Sequence, residues 1–146
     1  MSFLIVGPPE GVDPRLDVPL LRKRGASVLR AVGRARDELT LSLVGDDEIR
    51  ELNRDYRGKR RATDVLSFSL LEGEDTSHRG KLLGDVVISV DTARRQARQR
   101  RRSLDEVVAK LLIHGVLHVI GHDHEVDAEA RAMRSEERRR WGEVRV

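Results

Sequence analysis

The sequence predicts an α+β fold: a small mixed β-sheet of about four strands, covered on one face by helices, with a central helix that bears a metal site. Three observations lead there. Short runs suited to strands recur at Leu39–Val44, Asp64–Ser69 and Gly84–Val90. Two longer segments, Pro19–Arg36 and Leu104–Ile120, have the apolar spacing or content of helices. Four of the five histidines of the 146-residue chain fall between His114 and His124. The length suits one domain, residues 1–146, with room for a real core.

Taken in order, Phe3–Val6 is a short opening strand, and Gly7–Pro19, which holds all four prolines, is an irregular connection. Leu20, Leu21, Val28, Leu29 and Val32 mark the first helix, although Gly25 and Gly33 lower its propensity. Leu39–Val44 alternates apolar and polar residues as a half-buried strand does. Gly45, Asp46 and Asp47 supply a turn and N-cap for a short helix over Glu48–Asn53, and Tyr56–Arg61 is a basic loop. After the strand at Asp64–Ser69, the polar, glycine-containing stretch Glu72–Gly80 reads as a loop. Gly84–Val90 is a strand rich in β-branched residues, and Asp91 or Thr92 caps the arginine-rich helix behind it. Ser103 and Glu106 stand in S-x-x-E capping-box spacing, which starts the central helix near Leu104. The tail, Val126–Arg140, has helical propensity, and Trp141 is expected to pack.

The stretch with the strongest chemical signal is Leu111–Glu125. His114 and His118 are four residues apart in an apolar helical run. Side chains at i and i+4 share a helix face, with Cβ atoms roughly 5–6 Å apart, so both imidazoles can reach one ion. Gly121 can take the left-handed backbone that ends the helix. His124, three residues on, is then available as the third ligand in an H-x-x-x-H-x-x-G-x-x-H pattern. Three histidines without a cysteine point to one zinc ion with an open fourth position. Zinc peptidases of the H-E-x-x-H type place their general base directly after the first histidine. Here Gly115 occupies that position and offers no carboxylate. Asp123 and Glu125 are the nearest carboxylates in sequence, and Asp123 either handles a proton or orients a ligand histidine.

The composition narrows the partners. The formal net charge is only +3, but just four of the 28 basic residues are lysines. The rest are arginines, whose planar fork suits phosphate. They cluster at Arg57–Arg61, Arg94–Arg102 and Arg138–Arg140, the last read as a solvated helix face. With no cysteine, disulfides and thiolate ligands are excluded. No apolar run has the length of a membrane span, and Phe3–Val6 is too short for a signal sequence, so a soluble cytoplasmic protein is expected.

Three blocks carry a resemblance. Asn53–Phe68 reads N-R-D-Y-R-G-K-R-R-A-T-D-V-L-S-F, Leu83–Ser89 reads L-G-D-V-V-I-S, and His114–His124 reads H-G-V-L-H-V-I-G-H-D-H. Together they resemble the signature blocks of the YbeY endoribonuclease family. The blocks occur in the expected order, with glycine at the missing-base position included. Arg60, Ala62 and His122 depart from the usual acidic residue, proline and tyrosine, which bears on loop shape and substrate contacts.

The resemblance implies a zinc-dependent, single-strand-specific endoribonuclease. It would act in ribosomal RNA maturation, including the 16S rRNA 3′ end, and in ribosome quality control. Its implied partners are ribosomal RNA and the small subunit or its assembly factors, with no membrane. It also implies zinc on His114, His118 and His124, and a functional Arg57. From the chemistry of phosphate binding, Arg57, Lys59 and Arg61 are candidate substrate contacts, and Arg57 with Asp123 are candidate catalytic residues. Two other classes stand beside this one: a non-catalytic ribosome-assembly factor stabilised by zinc, and a zincin-type peptidase, which Gly115 disfavours.

Overall fold

Strands β1 (Phe3–Val6), β2 (Glu38–Val44), β3 (Val65–Ser69) and β4 (Leu82–Ser89) form one sheet in the order β1-β2-β4-β3. The structure is a computed structural model that describes residues 3–8, 13–57, 63–71, 82–122 and 126–145. β1 and β4 run parallel to β2, and β3 runs antiparallel to β4 at the edge. The mixed sheet is joined by helices α1 (Val18–Ala31), α2 (Asp46–Arg57), α3 (Val90–Arg100), α4 (Leu104–Val119) and α5 (Asp127–Val144). The α+β architecture is the one the sequence predicts, and among the described residues no helix is long and apolar enough to cross a membrane.

Strand alternation decides which helix meets which face. Leu39, Leu41 and Leu43 of β2, with Val86 and Ile88 of β4, enter the main core against α1, α3, α4 and α5. Val44, Leu66 and Val87 point the other way and join Ile49 of α2 in a smaller cluster. Helices therefore do not all lie on one face, as the sequence reading expected; α2 covers part of the opposite face. The reason is visible in its own pattern: Ile49 and Leu52 are the apolar inward positions of an otherwise polar helix.

Several boundaries differ from the sequence expectation, and capping explains them. α1 stops at Ala31, not Arg36, because Gly33 turns at φ 76° while Arg34 N donates to Leu29 O and Gly33 N to Arg30 O. α2 runs from Asp46 to Arg57, so Tyr56 and Arg57 belong to a helix and not to the basic loop. α3 is capped by Ser89, whose Oγ accepts from Thr92 N, and not by Asp91 or Thr92. The S-x-x-E expectation holds: α4 starts at Leu104, with Ser103 Oγ accepting from Glu106 N at 3.1 Å.

Asp46 ties α2 to α3. Its carboxylate accepts from Ser89 Oγ and Thr92 Oγ1, each at 2.7 Å, and pairs with Arg95 at 2.8 Å. Burial opposes its ionisation, but these donors outweigh burial and hold the carboxyl at about 2, below the ordinary 3.8. A depressed carboxyl stabilises the fold above its unfolded value and loses that contribution as pH falls towards the folded one. Asp46→Asn is thus expected to cost about 2 kcal/mol near neutral pH. Urea unfolding of both proteins should show that gap closing between pH 4 and pH 2; a gap independent of pH would refute the assignment.

Candidate functional site

His114 and His118 lie on α4, which is the most deeply buried helix. Leu112, Ile113, Gly115, Val116, Leu117 and Val119 are all buried around them, while both histidines stay half-buried. The burial of these apolar neighbours sets the helix's rotation, and with it the direction of the imidazoles. Past the helix, His122 N donates to Leu117 O and Gly121 N to His118 O, with Gly121 at φ 111°. This double bond pattern is the glycine-ended turn the sequence anticipates after His118. His122 is half-buried there, not a fully exposed turn residue.

His114 Nδ1 lies 2.9 Å from Oε1 of Glu137, on α5. The hydrogen bond to Glu137, helped by the Glu137 and Asp64 charges and opposed by burial, raises the His114 pKa. In the neutral ring the same bond puts the proton on Nδ1 and the lone pair on Nε2, the arrangement a metal-ligating imidazole needs. The donor chemistry of His114 and His118 therefore fits a zinc ion. Among the described residues, no three His, Asp or Glu side chains are placed to share an ion. Glu137 meets His114 at Nδ1, which leaves Nε2 as the ring's other donor atom. His124, the expected third ligand, lies outside the described residues, as do Asp123, Lys59 and Arg61. Arg57 is the last residue of α2.

His114 and Glu137 line a cavity of about 210 Å³ together with Asp64, Gln96 and Arg100. Asp64 pins the start of β3, since its carbonyl accepts from Ser89 N at 3.0 Å and its carboxylate from Gln96 Nε2 at 3.1 Å. Asp64 thus both pins its strand and faces the histidine cavity. Glu137 and Gln96 carry no sequence signal, and Arg100 is legible only as one of the Arg94–Arg102 cluster. Each sits in a helix dense with Arg, Glu and Gln, so no spacing distinguishes it.

Gly115 faces the sheet. A Cβ there would meet Val86 Cγ1 at 2.6 Å and Cγ2 at 3.0 Å, and Val86 is fully buried. The missing side chain is what lets α4 approach β4. A glutamate at this position would enter the core instead of the cavity, so the peptidase base is excluded by packing as well as by identity. Gly115→Glu is expected to destabilise the fold by more than about 3 kcal/mol, from overpacking and a buried carboxyl. A thermal melt of the variant close to wild type would contradict this placement. For the Nδ1 contact, Glu137→Ala should weaken zinc binding about 10- to 100-fold. Competition against a chromogenic chelator reads this directly, and equal affinities would remove Glu137 from the site.

Comparison with known proteins agrees with the blocks in the sequence. The family description endoribonuclease YbeY matches residues 21–144. The chain is 54% identical over 117 residues to the endoribonuclease YbeY of an Anaeromyxobacter species, covering 80% of this chain and 59% of that relative. It thus spans about three-fifths of that relative's length. The endoribonuclease YbeY of Geobacter metallireducens is 42% identical over 125 residues, covering 86% of this chain and 83% of the relative. Among solved structures, the solution structure of TM1509 from Thermotoga maritima matches with a TM-score of 0.61 and 27% identity, covering 98% of this chain and 91% of that one. With a family match across nearly the whole chain, on the fold and around the histidine helix described above, the chain belongs to the endoribonuclease YbeY family.

Proposed function

We propose that this protein is a zinc-dependent endoribonuclease that cuts single-stranded ribosomal RNA. In this reading it acts in maturation of the 16S rRNA 3′ end and in ribosome quality control, alongside the small subunit. The observation that carries the proposal is the His114–Glu137 pair, set in a cavity with Asp64 and Arg100. Family membership adds the direction: its curated relatives are named endoribonucleases.

His114, His118 and His124 would hold the ion, which when bound supplies a Lewis acid for charge developing on a phosphoryl group. The chain's own residues do the rest. Glu137 keeps the His114 proton on Nδ1 and fixes the ring's orientation. Arg57 clamps a phosphate oxygen pair with its planar fork, a charge-assisted contact that Lys59 and Arg61 extend along the backbone. Asp123 orients a ligand histidine or accepts a proton beside it. Phosphate contacts of this kind favour backbone and shape over base identity, so binding should weaken steeply with salt.

The decisive test is cleavage of a single-stranded ribosomal RNA fragment by wild type and His118→Ala, purified in parallel. Wild type should cut, and the variant should lose at least about a hundredfold in rate, the scale of losing one group that stabilises transition-state charge. A chelator should abolish cutting and added zinc restore it. Equal cutting by both proteins would overturn the proposal. RNA binding without cutting by either would favour the assembly-factor reading.

A further inference from the structure

Three cavities run side by side along the exposed face of α4, and Lys110 lines all of them. The first is the histidine cavity. The second, about 300 Å³, lies between α4 and α5, with Glu137 shared between the two. The third, about 520 Å³, continues past Trp141 to the start of α4 at Ser103. At 1.5 Å per helical residue, the path from His114 to Ser103 is roughly 16 Å long, enough for a few nucleotides.

The charge along this path is uneven in a telling way. Its walls hold seven Arg or Lys side chains against four carboxylates, a surplus as large as the whole chain's net charge of +3. The carboxylates are already engaged. Glu137 binds His114, Asp64 accepts from Gln96, Asp105 accepts from Asp17 N at 2.7 Å, and Glu106 pairs with Lys110 at 3.1 Å. Four of the five arginines of α5 fall into two pairs by their partners. Arg139 and Arg140, away from the groove, pair with Glu136 and Glu143. Arg134 and Arg138, which line the groove, make no ion pair among the described residues, and neither does Arg100 in the histidine cavity. Of the Arg138–Arg140 cluster expected from sequence as a solvated face, Arg138 and Arg139 are exposed and Arg140 is mostly buried.

Trp141 does not serve as a base-stacking platform here. Arg24 and Lys110 stand over its ring, 5.1 and 5.5 Å from the centroid. What the groove offers a ligand is the forks of Arg100, Arg134 and Arg138, which have no carboxylate partner among the described residues; this suits phosphates and is indifferent to bases.

We infer that this α4–α5 groove is a path for the phosphate backbone of single-stranded RNA leaving the histidine cavity, gripped by Arg134 and Arg138. The inference rests on the proposed RNA substrate. Its consequence is length dependence: strands long enough to reach past Glu137 gain affinity that short ones lack.

The test measures fluorescence anisotropy of labelled single-stranded RNA in chelator, so that no cutting intervenes. The RNAs are a long oligonucleotide and one short enough to fill only the histidine cavity. The variant is Arg134→Gln with Arg138→Gln, and the control, removing equal charge elsewhere, is Arg30→Gln with Arg139→Gln. For the long RNA, the groove variant should lose about tenfold in affinity at low salt, and the slope of log K against log salt should fall by about 1.4, for two phosphate contacts on a single strand. The short RNA and the control variant should bind as wild type does. Equal losses in groove and control variants, equal losses on both RNA lengths, or no RNA binding by wild type would overturn the inference. Length-dependent binding by a wild type that never cuts RNA would support the groove while sinking the endoribonuclease reading. Cutting that persists while the groove variant binds normally would do the reverse.

Discussion

Helix α4 can lie directly on β4 because Gly115 has no side chain to hold it away from Val86. Everything else about the site depends on that approach. With the sheet on one side and α1, α3 and α5 on the others, the helix buries Leu112, Ile113, Val116, Leu117 and Val119, each burial contributing about 1.5–3 kcal/mol. A helix fixed on so many sides has one rotation and one depth. His114, His118 and Lys110 are among the residues left on the strip that is not buried. The glycine that looks like a deleted base in sequence is, in the fold, the contact that positions the two histidines.

The second organising element is α5. It has no side-chain N-cap, so little local chemistry holds it and its stability comes from docking Met133, Val144 and Trp141 onto the core. Once docked, it supplies the carboxylate that orients His114 from one turn and a pair of arginines to the adjoining groove from neighbouring turns. A helix whose charges balance by composition thus pairs Arg139 and Arg140 with Glu136 and Glu143, while Arg134 and Arg138 line the groove with no ion pair among the described residues. The Arg139 pairs are largely exposed and each is worth little, whereas Arg140 is mostly buried. Their effect is to keep carboxylates away from the groove.

The opposite side of the sheet follows the same economy of contacts. Tyr56 stacks edge-on against Phe68 with centroids 5.1 Å apart, so the end of α2 is anchored to the edge strand β3. β3 is in turn fixed to the end of α4 by Ser69 Oγ donating to Val119 O at 2.7 Å. α2 ends at Arg57, and Asp64 stands in the wall of the histidine cavity. Sheet topology brings the first signature block to the third.

Much of this was legible in the residues alone, where the signal is local. Alternation in Leu39–Val44, the N-cap at Ser103 and the His114–His118 spacing are governed by periodicities of two to four residues, and all three hold in the fold. Gly33 was read as a weak position inside a helix because propensity says nothing of where the chain must turn; the fold uses it as the stop. Ser89 was passed over as a cap because it also ends a strand, and only the register of β4 frees its hydroxyl for Thr92. Glu137 carries no local mark, since its partner is 23 positions away. The sequence by itself determined the element types, the paired histidines and the family. Tertiary structure alone decided which carboxylate holds His114 and which arginines face a groove, because those choices depend on how helices dock through space, a quantity that no short-range pattern encodes.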